Sequence, residues 1–491
     1  MIYHCEDHTC NYWDEGEKLP ERCPQCGRKL LRANEADMTG DDWTALGNTL
    51  WDAEASDKKR MVDCFRKAAY LGSAWGVCNL GICMEQGNGV EADPVQAFWL
   101  YQQAVEMGSL NAVCCLGVCY EYGIGTAPDA KQAAELYCKA AEYGSPRGQM
   151  LLAHAFHDGI GVEADAAEAV YWVRAAAYQR YGEGMHRLGV CYEYGDGVEQ
   201  NWERAVHWFR EAAESGVSVA MADLGYCYEK GCGVEQSWEQ AFSWYRRGAE
   251  CGYPVSMSNL GLCYKRGYGV DQNWQEAIKW YEQGAQCGDL QSMHNLARCY
   301  ERGEGVEQDM KKAICWYERA AEQNHPAAMN SLGECYAMGL GVPRDLETAM
   351  EWYRRAAELG EAMADYNMGW HLEQAGKLSE AYAHYRKAAD GNDDSAWWAL
   401  GRFYENGVVV AQDGKEARRC YETGEKLGSV KCKMRLARCK LLGIGGRRAK
   451  KAGLDLCRQA LELAKESSEK EDYGYEAEMN LLRRTIAENE S

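Results

Sequence analysis

The sequence predicts an all-α fold, a right-handed α-solenoid of about twelve helix-turn-helix repeats behind a small cysteine-bearing module. One observation behind this prediction is a Gly-x-Gly element that occurs in eight successive units. The other is a Leu-Gly or Leu-Ala pair repeated every 36 residues, with its second residue at Gly81, Gly117, Ala153, Gly189, Gly225, Gly261, Ala297 and Gly333. A unit of this size cannot bury its apolar face alone, so neighbouring units are expected to stack.

Residues 219–252 show how one unit is built. Met221, Leu224 and Tyr228 lie at helical spacing, which predicts a first helix with one apolar face. The glycines of Gly231-Cys232-Gly233 are typical of a helix end, because glycine tolerates positive φ. A second apolar stripe then predicts a second helix, with Trp238, Ala241, Trp244, Tyr245 and Ala249 on one face. Each unit is therefore expected to be a helical hairpin.

The repeated pattern also points to a known family. Leu-Gly-x-x-Tyr-x-x-Gly-x-Gly-Val followed by Ala-x-x-Trp-Tyr-x-x-Ala-Ala-x-x-Gly resembles the Sel1-like repeat, a relative of the tetratricopeptide repeat, most fully at residues 260–288 and 296–324. The resemblance covers residues 43–464, and residues 465–491 are expected to form a C-terminal capping helix. It implies a scaffold or adaptor that binds other proteins.

The composition of the chain disfavours several kinds of partner and location. The net charge of −21 disfavours nucleic acid or an anionic membrane as the main partner. The chain has no run of about 18 apolar residues, so membrane insertion is not expected. Its first residues lack the basic and apolar regions of a secretory signal, and a cytoplasmic location is expected. The cysteines that recur at 36 residues lie one repeat apart, too far for disulfides with one another, and are expected to be buried.

Residues 1–36 carry four cysteines with metal-ligand spacing. Cys5 and Cys10 precede the turn Cys23-Pro24-Gln25-Cys26-Gly27, which resembles zinc ribbons and rubredoxin-like knuckles. We expect one zinc ion on Cys5, Cys10, Cys23 and Cys26, with His8 as a possible substitute ligand and iron as the alternative metal. This zinc-ribbon-like module either caps the first repeat or contacts a partner.

No enzyme signature is present. The chain lacks the phosphate-binding Gly-x-x-x-x-Gly-Lys-Ser/Thr loop, the nucleophilic Gly-x-Ser-x-Gly turn and the zinc motif His-Glu-x-x-His. Its Gly-x-Gly elements join two helices and recur, which indicates turns. A non-catalytic protein is therefore predicted.

Positions that vary between repeats are the candidates for function. An acidic row, which includes Glu121, Glu193, Glu229 and Glu301, is expected on the concave face, where it could attract a basic segment or be ordinary solvated helix surface. Aromatic residues, Tyr366, Trp370 and Trp398, could contact a peptide or fill the space left by a shortened joint. Three histidines, His154, His157 and His186, could bind a divalent metal or simply pack.

The last candidate is a basic run between residues 429 and 454. It contains Arg438, Arg447, Arg448, Lys450 and Lys451 and no acidic residue. Such a run could bind an anionic ligand or be a solvated cap. The sequence therefore predicts a non-catalytic scaffold that binds a protein or peptide in its concave groove. The alternative is a nucleic-acid-associated regulator that uses the zinc-ribbon-like module and the basic run.

Overall fold

The computed structural model describes residues 2–5, 13–15, 30–33, 35–51, 55–470 and 476–490. The chain forms two compact units, Met1–Cys251 and Gly252–Ser491. Within the described residues, each unit contains six consecutive helical hairpins, so the predicted stack of helix-turn-helix repeats is confirmed within each of them.

Unit 1 begins with three short strands and a 3-10 helix at Glu35–Asp37. The three strands form an antiparallel sheet with the strand of Ile2 in the middle, where Ile2 pairs with Glu15 on one side and with Ala33 on the other. The strand and helix bounds are β1 Ile2–Cys5, β2 Trp13–Glu15, β3 Leu30–Ala33, α1 Gly40–Thr49, α2 Ala55–Tyr70, α3 Ala74–Gln86, α4 Pro94–Glu106, α5 Leu110–Tyr122, α6 Ala130–Glu142, α7 Pro146–Asp158, α8 Ala166–Tyr178, α9 Gly182–Tyr194, α10 Trp202–Glu214, α11 Ser218–Lys230 and α12 Trp238–Glu250.

Unit 2 contains six hairpins and one further helix. The helix bounds are α13 Pro254–Arg266, α14 Trp274–Gln286, α15 Leu290–Arg302, α16 Met310–Glu322, α17 Pro326–Met338, α18 Leu346–Glu358, α19 Ala362–Gln374, α20 Leu378–Asp390, α21 Asp394–Asn406, α22 Gly414–Lys426, α23 Val430–Leu442, α24 Lys450–Lys470 and α25 Glu476–Glu490. Helix α24 thus continues beyond residue 464, and α25 is a separate final helix.

The hairpin of α5 and α6 shows which residues define the repeat. The Ser109 hydroxyl accepts a hydrogen bond from the backbone N–H of Ala112 and caps the start of α5. The helix ends at Gly123, whose φ of 73° is readily adopted by glycine. Asp129 then caps α6 by accepting from the N–H of Gln132. Each hairpin is therefore delimited by local chemistry that recurs along the chain.

The two helices of a hairpin pack closely because a small residue faces an aromatic ring. A Cβ added at Gly117 would lie 2.5 Å from Cε1 of Tyr137, so a larger side chain has no room there. The same arrangement places Gly333 against Tyr353. These second-helix tyrosines are among the most deeply buried side chains: Tyr101, Tyr137, Tyr245, Tyr281, Tyr317, Tyr353, Tyr385 and Tyr421.

Neighbouring hairpins meet at the second glycine of the Gly-x-Gly element. At Gly161, where φ is 69°, an added Cβ would lie 2.0 Å from the carbonyl oxygen of Ala130 in the preceding hairpin. Gly125 approaches the carbonyl oxygen of Pro94 in the same way, at 2.1 Å. At the first glycine, Gly159, the nearest atom would be 3.5 Å away. The second glycine therefore forms an inter-repeat contact as well as a turn.

Val409 occupies this second-glycine position in the eleventh unit and keeps the left-handed backbone, with φ at 65°. A β-branched residue is disfavoured there, since its Cβ crowds the backbone. We expect Val409→Gly to raise the free energy of unfolding by about 1 kcal/mol. The midpoint of urea unfolding measures this effect. Val408→Gly is the control, because Val408 does not have a positive φ, and this variant should lower the midpoint. If both variants lower the midpoint equally, the explanation is contradicted.

Candidate functional site

A cavity of about 620 Å³ opens in unit 1 between the hairpins of α5 to α9. Much of its apolar lining, called the apolar floor below, comes from α7 and α8, through Met150, Leu151, Val170 and Val173. Its volume lies within the range of small-ligand and peptide side-chain pockets. The cavity therefore offers space and apolar surface for a few side chains of a bound molecule.

A histidine–aspartate network forms one wall of the cavity. Nε2 of His154 lies 3.1 Å from Oδ2 of Asp158, and Nδ1 of His157 contacts Oδ1 of the same aspartate. Nε2 of His157 lies 3.2 Å from Oδ2 of Asp196, which also faces Arg187 at 3.7 Å. The hydrogen bond from His157 holds the pKa of Asp158 below its usual range. The two aspartates are thus compensated by cationic or titratable neighbours.

Two glutamates of the cavity have neutral partners instead. The carboxylate of Glu121 accepts a hydrogen bond from the Tyr137 hydroxyl at 2.6 Å. Glu183 accepts one from the Tyr181 hydroxyl at 3.2 Å. Within the described side chains, neither glutamate forms an ion pair. Each is therefore a carboxylate with which a bound cation could pair.

Arg147 lines the same cavity, but its guanidinium is engaged elsewhere. Its Nη1 donates to Oδ1 of Asn111 at 2.7 Å and to Sγ of Cys115 at 3.5 Å, and neither of these residues lines the cavity. Arg147 is not among the candidates predicted from the sequence. The sequence did contain a signal, because Arg147 differs from the residues at the equivalent position of its two neighbouring repeats. These residues are Asn111 in the preceding repeat and Glu183 in the next one.

The predicted acidic row is only partly a binding surface. Glu121, Glu229 and Glu301 are half-buried and accept hydrogen bonds from the Tyr137, Tyr245 and Tyr317 hydroxyls, at 2.6, 2.8 and 2.7 Å. The expectation that these carboxylates are exposed is wrong, because each satisfies a buried hydroxyl of its own hairpin. The sequence contained the signal, a tyrosine 16 residues after the glutamate.

Glu193 belongs to the same row but lacks this partner, since the second-helix residue is Phe209. Burial raises the pKa of the Glu193 carboxyl, and the nearby charge of Asp223 raises it further. Among the four predicted glutamates, Glu121 lines the cavity and the other three do not.

The three predicted histidines do not form one cluster. His154 and His157 share the cavity wall, whereas Nε2 of His186 lies 2.7 Å from Oδ2 of Asp223 and His186 does not line the cavity. The grouping of all three around one ion is therefore wrong, since His186 is already engaged by the next repeat. Among the side chains that the structure describes, no group of three or more His, Cys, Asp or Glu is placed to hold a metal ion.

The three aromatic residues predicted to contact a partner, all in unit 2, differ in their exposure to solvent. Tyr366 is half-buried beside Tyr385, with ring centroids 5.6 Å apart, and burial raises the pKa of its hydroxyl to about 12. Trp398 is half-buried between Arg402 and Lys431, whose charged groups lie 4.7 and 5.1 Å from its ring centroid. Trp370 is 41% exposed. Trp370 is thus the most accessible of the three.

Part of the predicted basic run is used inside unit 2. Arg438 contacts the Glu405 carboxylate, and Arg448 donates to the Leu441 carbonyl and to Oδ1 of Asn489. The expectation that these two arginines are free for an anion is wrong. Arg447, Lys450 and Lys451 are exposed and form no ion pair within the described residues. Binding of an anionic ligand or nucleic acid by this smaller group stays a prediction.

Most of the predicted zinc ligands lie outside the described part of the chain. His8, Cys10, Cys23 and Cys26 are beyond it, and only the backbone of Cys5 is described, in β1. Zinc at these positions stays a prediction. The described helices include none that is both long and apolar enough to cross a membrane.

Comparison with known proteins is consistent with this architecture. The Sel1 repeat model matches ten segments, namely residues 76–109, 112–145, 146–181, 182–217, 218–253, 254–289, 290–325, 326–361, 362–393 and 396–429. A solved structure of c5321, a protective antigen of uropathogenic Escherichia coli with an SLR fold, is 30% identical over 87% of this chain and 90% of that one, with a TM-score of 0.59. A Sel1 repeat protein from Oxalobacter formigenes is 31% identical over 50% of this chain and 96% of that one, with a TM-score of 0.46. Among curated proteins, none matches this chain. The chain belongs to the Sel1 repeat family.

Proposed function

We propose that this protein is a non-catalytic scaffold that holds a partner protein by a short segment seated in the unit 1 cavity. The segment carries one lysine or arginine next to apolar side chains. Repeat scaffolds of this kind generally mediate protein–protein interaction, and the cavity supplies the specific chemistry here.

One observation carries the proposal: two carboxylates without cationic partners line the same cavity as the apolar floor. Glu121 and Glu183 accept hydrogen bonds from neutral hydroxyls, while Met150 and Val173 provide apolar contact. A basic side chain of the bound segment would neutralise the glutamates. The apolar side chains beside it in the segment would pack against the apolar floor of the cavity and be removed from water. A purely acidic segment would meet repulsion.

The test begins with a random peptide library selected on the full chain, followed by calorimetric titration of the selected peptides. We expect the peptides to share a basic residue flanked by apolar ones. The double variant Glu121→Gln, Glu183→Gln should weaken binding by about tenfold, because glutamine still accepts the tyrosine hydrogen bonds but carries no charge. Added salt should weaken wild-type binding as well.

Glu229→Gln is the matched control for this experiment. Glu229 occupies the same repeat position as Glu121 and accepts from Tyr245, but it does not line the cavity. Its substitution should leave the affinity unchanged. Selected peptides without a basic residue, or equal affinities for the double variant and wild type, would rule out the proposed recognition.

A further inference from the structure

Residues 37 apart meet between the first helices of successive repeats. His186 and Asp223 form a hydrogen bond of 2.7 Å in unit 1. In unit 2, His294 contacts Ser331 at 3.3 Å, and Asn330 accepts from Asn367 at 2.9 Å. Within the described residues, this spacing therefore brings two side chains into direct polar contact in three separate places.

Cys78 of α3 and Cys115 of α5 occupy the same 37-residue register in unit 1. Three repeats further along the chain, the same two positions hold His186 and Asp223, whose contact indicates that the two thiols face each other. Nδ2 of Asn111 lies 3.6 Å from Sγ of Cys78, and Nη1 of Arg147 lies 3.5 Å from Sγ of Cys115. The dithiol site formed by Cys78 and Cys115 is thus held by an amide on one side and by a guanidinium on the other.

The surroundings make Cys115 unlike the other buried thiols. The neighbouring Cys78 thiol lowers the pKa of Cys115 against the effect of burial, and Arg147 lowers it further. Burial raises the pKa of Cys83 to about 11 and that of Cys119 to about 12. Since a thiolate is the reactive form, the guanidinium 3.5 Å from Cys115 favours that sulfur as the nucleophile of the pair.

Access to this pair depends on Arg147. Both cysteines are buried, with Cys78 at 0% and Cys115 at 4% exposure. Arg147, however, contacts Cys115 and lines the unit 1 cavity. The Arg147 side chain therefore connects the cavity to the sulfur, and we take its displacement as the route for a molecule of the size of hydrogen peroxide.

We propose that Cys78 and Cys115 form an oxidation site for small peroxides, with a disulfide between α3 and α5 as the product. The Cys115 thiolate attacks one peroxide oxygen, the O–O bond breaks, and the released hydroxide takes up a proton to become water. The Cys78 sulfur then attacks the resulting sulfenic acid, the S–O bond breaks and a second water leaves. Two thiols lose two electrons and two protons in total, and one peroxide is reduced to two waters. This inference does not depend on which ligand the cavity binds.

The test treats the full chain with stoichiometric hydrogen peroxide, blocks the remaining thiols and maps the peptides by mass spectrometry. We expect a peptide cross-linked through Cys78 and Cys115, which disappears with dithiothreitol. Cys83 and Cys119 are the matched control, since they lie on the same two helices but 36 residues apart, and burial raises the pKa of both thiols. A disulfide elsewhere, or equal oxidation rates for Cys115 and Cys119, would overturn the proposal.

Two variants separate reactivity from folding, with circular dichroism verifying their helix content. In Cys78→Ala, Cys115 has no resolving partner, so oxidation should stop at a sulfenic acid that dimedone labels. Arg147→Gln should slow oxidation of Cys115 about tenfold, the change expected when a thiolate loses about one pKa unit of stabilisation. Unchanged oxidation rates in Arg147→Gln would contradict the role of the guanidinium, and absence of dimedone labelling in Cys78→Ala would contradict the order of the two steps.

Discussion

Gly161→Ala is expected to lower the free energy of unfolding by about 3 kcal/mol, whereas Gly159→Ala in the same joint lowers it by about 1 kcal/mol. Both glycines have positive φ, 69° at Gly161 and 72° at Gly159, so both variants strain the backbone. Only at Gly161 would the new Cβ meet the Ala130 carbonyl oxygen, at 2.0 Å. Backbone atoms of the preceding hairpin cannot move aside without opening the contact between the repeats.

Urea unfolding followed by circular dichroism measures this difference. Because a repeat array unfolds in several steps, the midpoint of the first transition is compared among wild type, Gly159→Ala and Gly161→Ala. Equal shifts for the two variants would show that the second glycine is needed for its turn conformation alone. The larger shift at Gly161 would show that the Gly-x-Gly element also sets the spacing of neighbouring hairpins.

Arg435→Met is expected to destabilise the packing of α25 against α23 by about 3 kcal/mol. Arg435 makes a two-point contact with the Glu478 carboxylate, with distances of 2.7 and 2.8 Å. The Glu478 side chain is only 8% exposed, so removal of the arginine leaves a buried charge without its partner. Limited proteolysis should then cut within residues 476–490 more rapidly, with the rest of the chain unchanged.

Two further variants control this prediction. Lys451→Met removes an exposed positive charge from the same unit and should leave proteolysis unchanged. The double variant Arg435→Met, Glu478→Leu removes this buried pair, leaves Glu405 its contact with Arg438, and should recover much of the lost stability. If Arg435→Met resembles Lys451→Met, the buried ion pair does not hold the final helix.

The repeat architecture was readable from the sequence because each hairpin is determined by local signals. A helix end requires glycine at positions such as Gly123, and its capping residues, such as Asp129, lie next to it in the chain. These signals recur at a fixed period, so the number of hairpins followed directly. Period and spacing did not predict the N-terminal strands, because their pairing joins segments whose sequence shows no repeat.

The site was less predictable because it depends on which repeats are neighbours in space. His154 and His157 were singled out by their spacing, but their cavity also needs Glu121 and Glu183 from other hairpins. Glu229 and Glu301 were expected to be exposed, although tyrosine hydroxyls of their own hairpins bind them. A repeat places equivalent residues at regular positions, and only their specific neighbours decide whether each one is free.

Hydrogen–deuterium exchange of the full chain, with and without a selected basic peptide, tests most directly whether the unit 1 cavity is the partner-binding site. We expect slower exchange in α7, α8 and α9 when the peptide is bound, and none of this protection in the Glu121→Gln, Glu183→Gln variant. Protection around Trp370 in unit 2, with exchange in α7 to α9 unchanged, would contradict binding at the cavity.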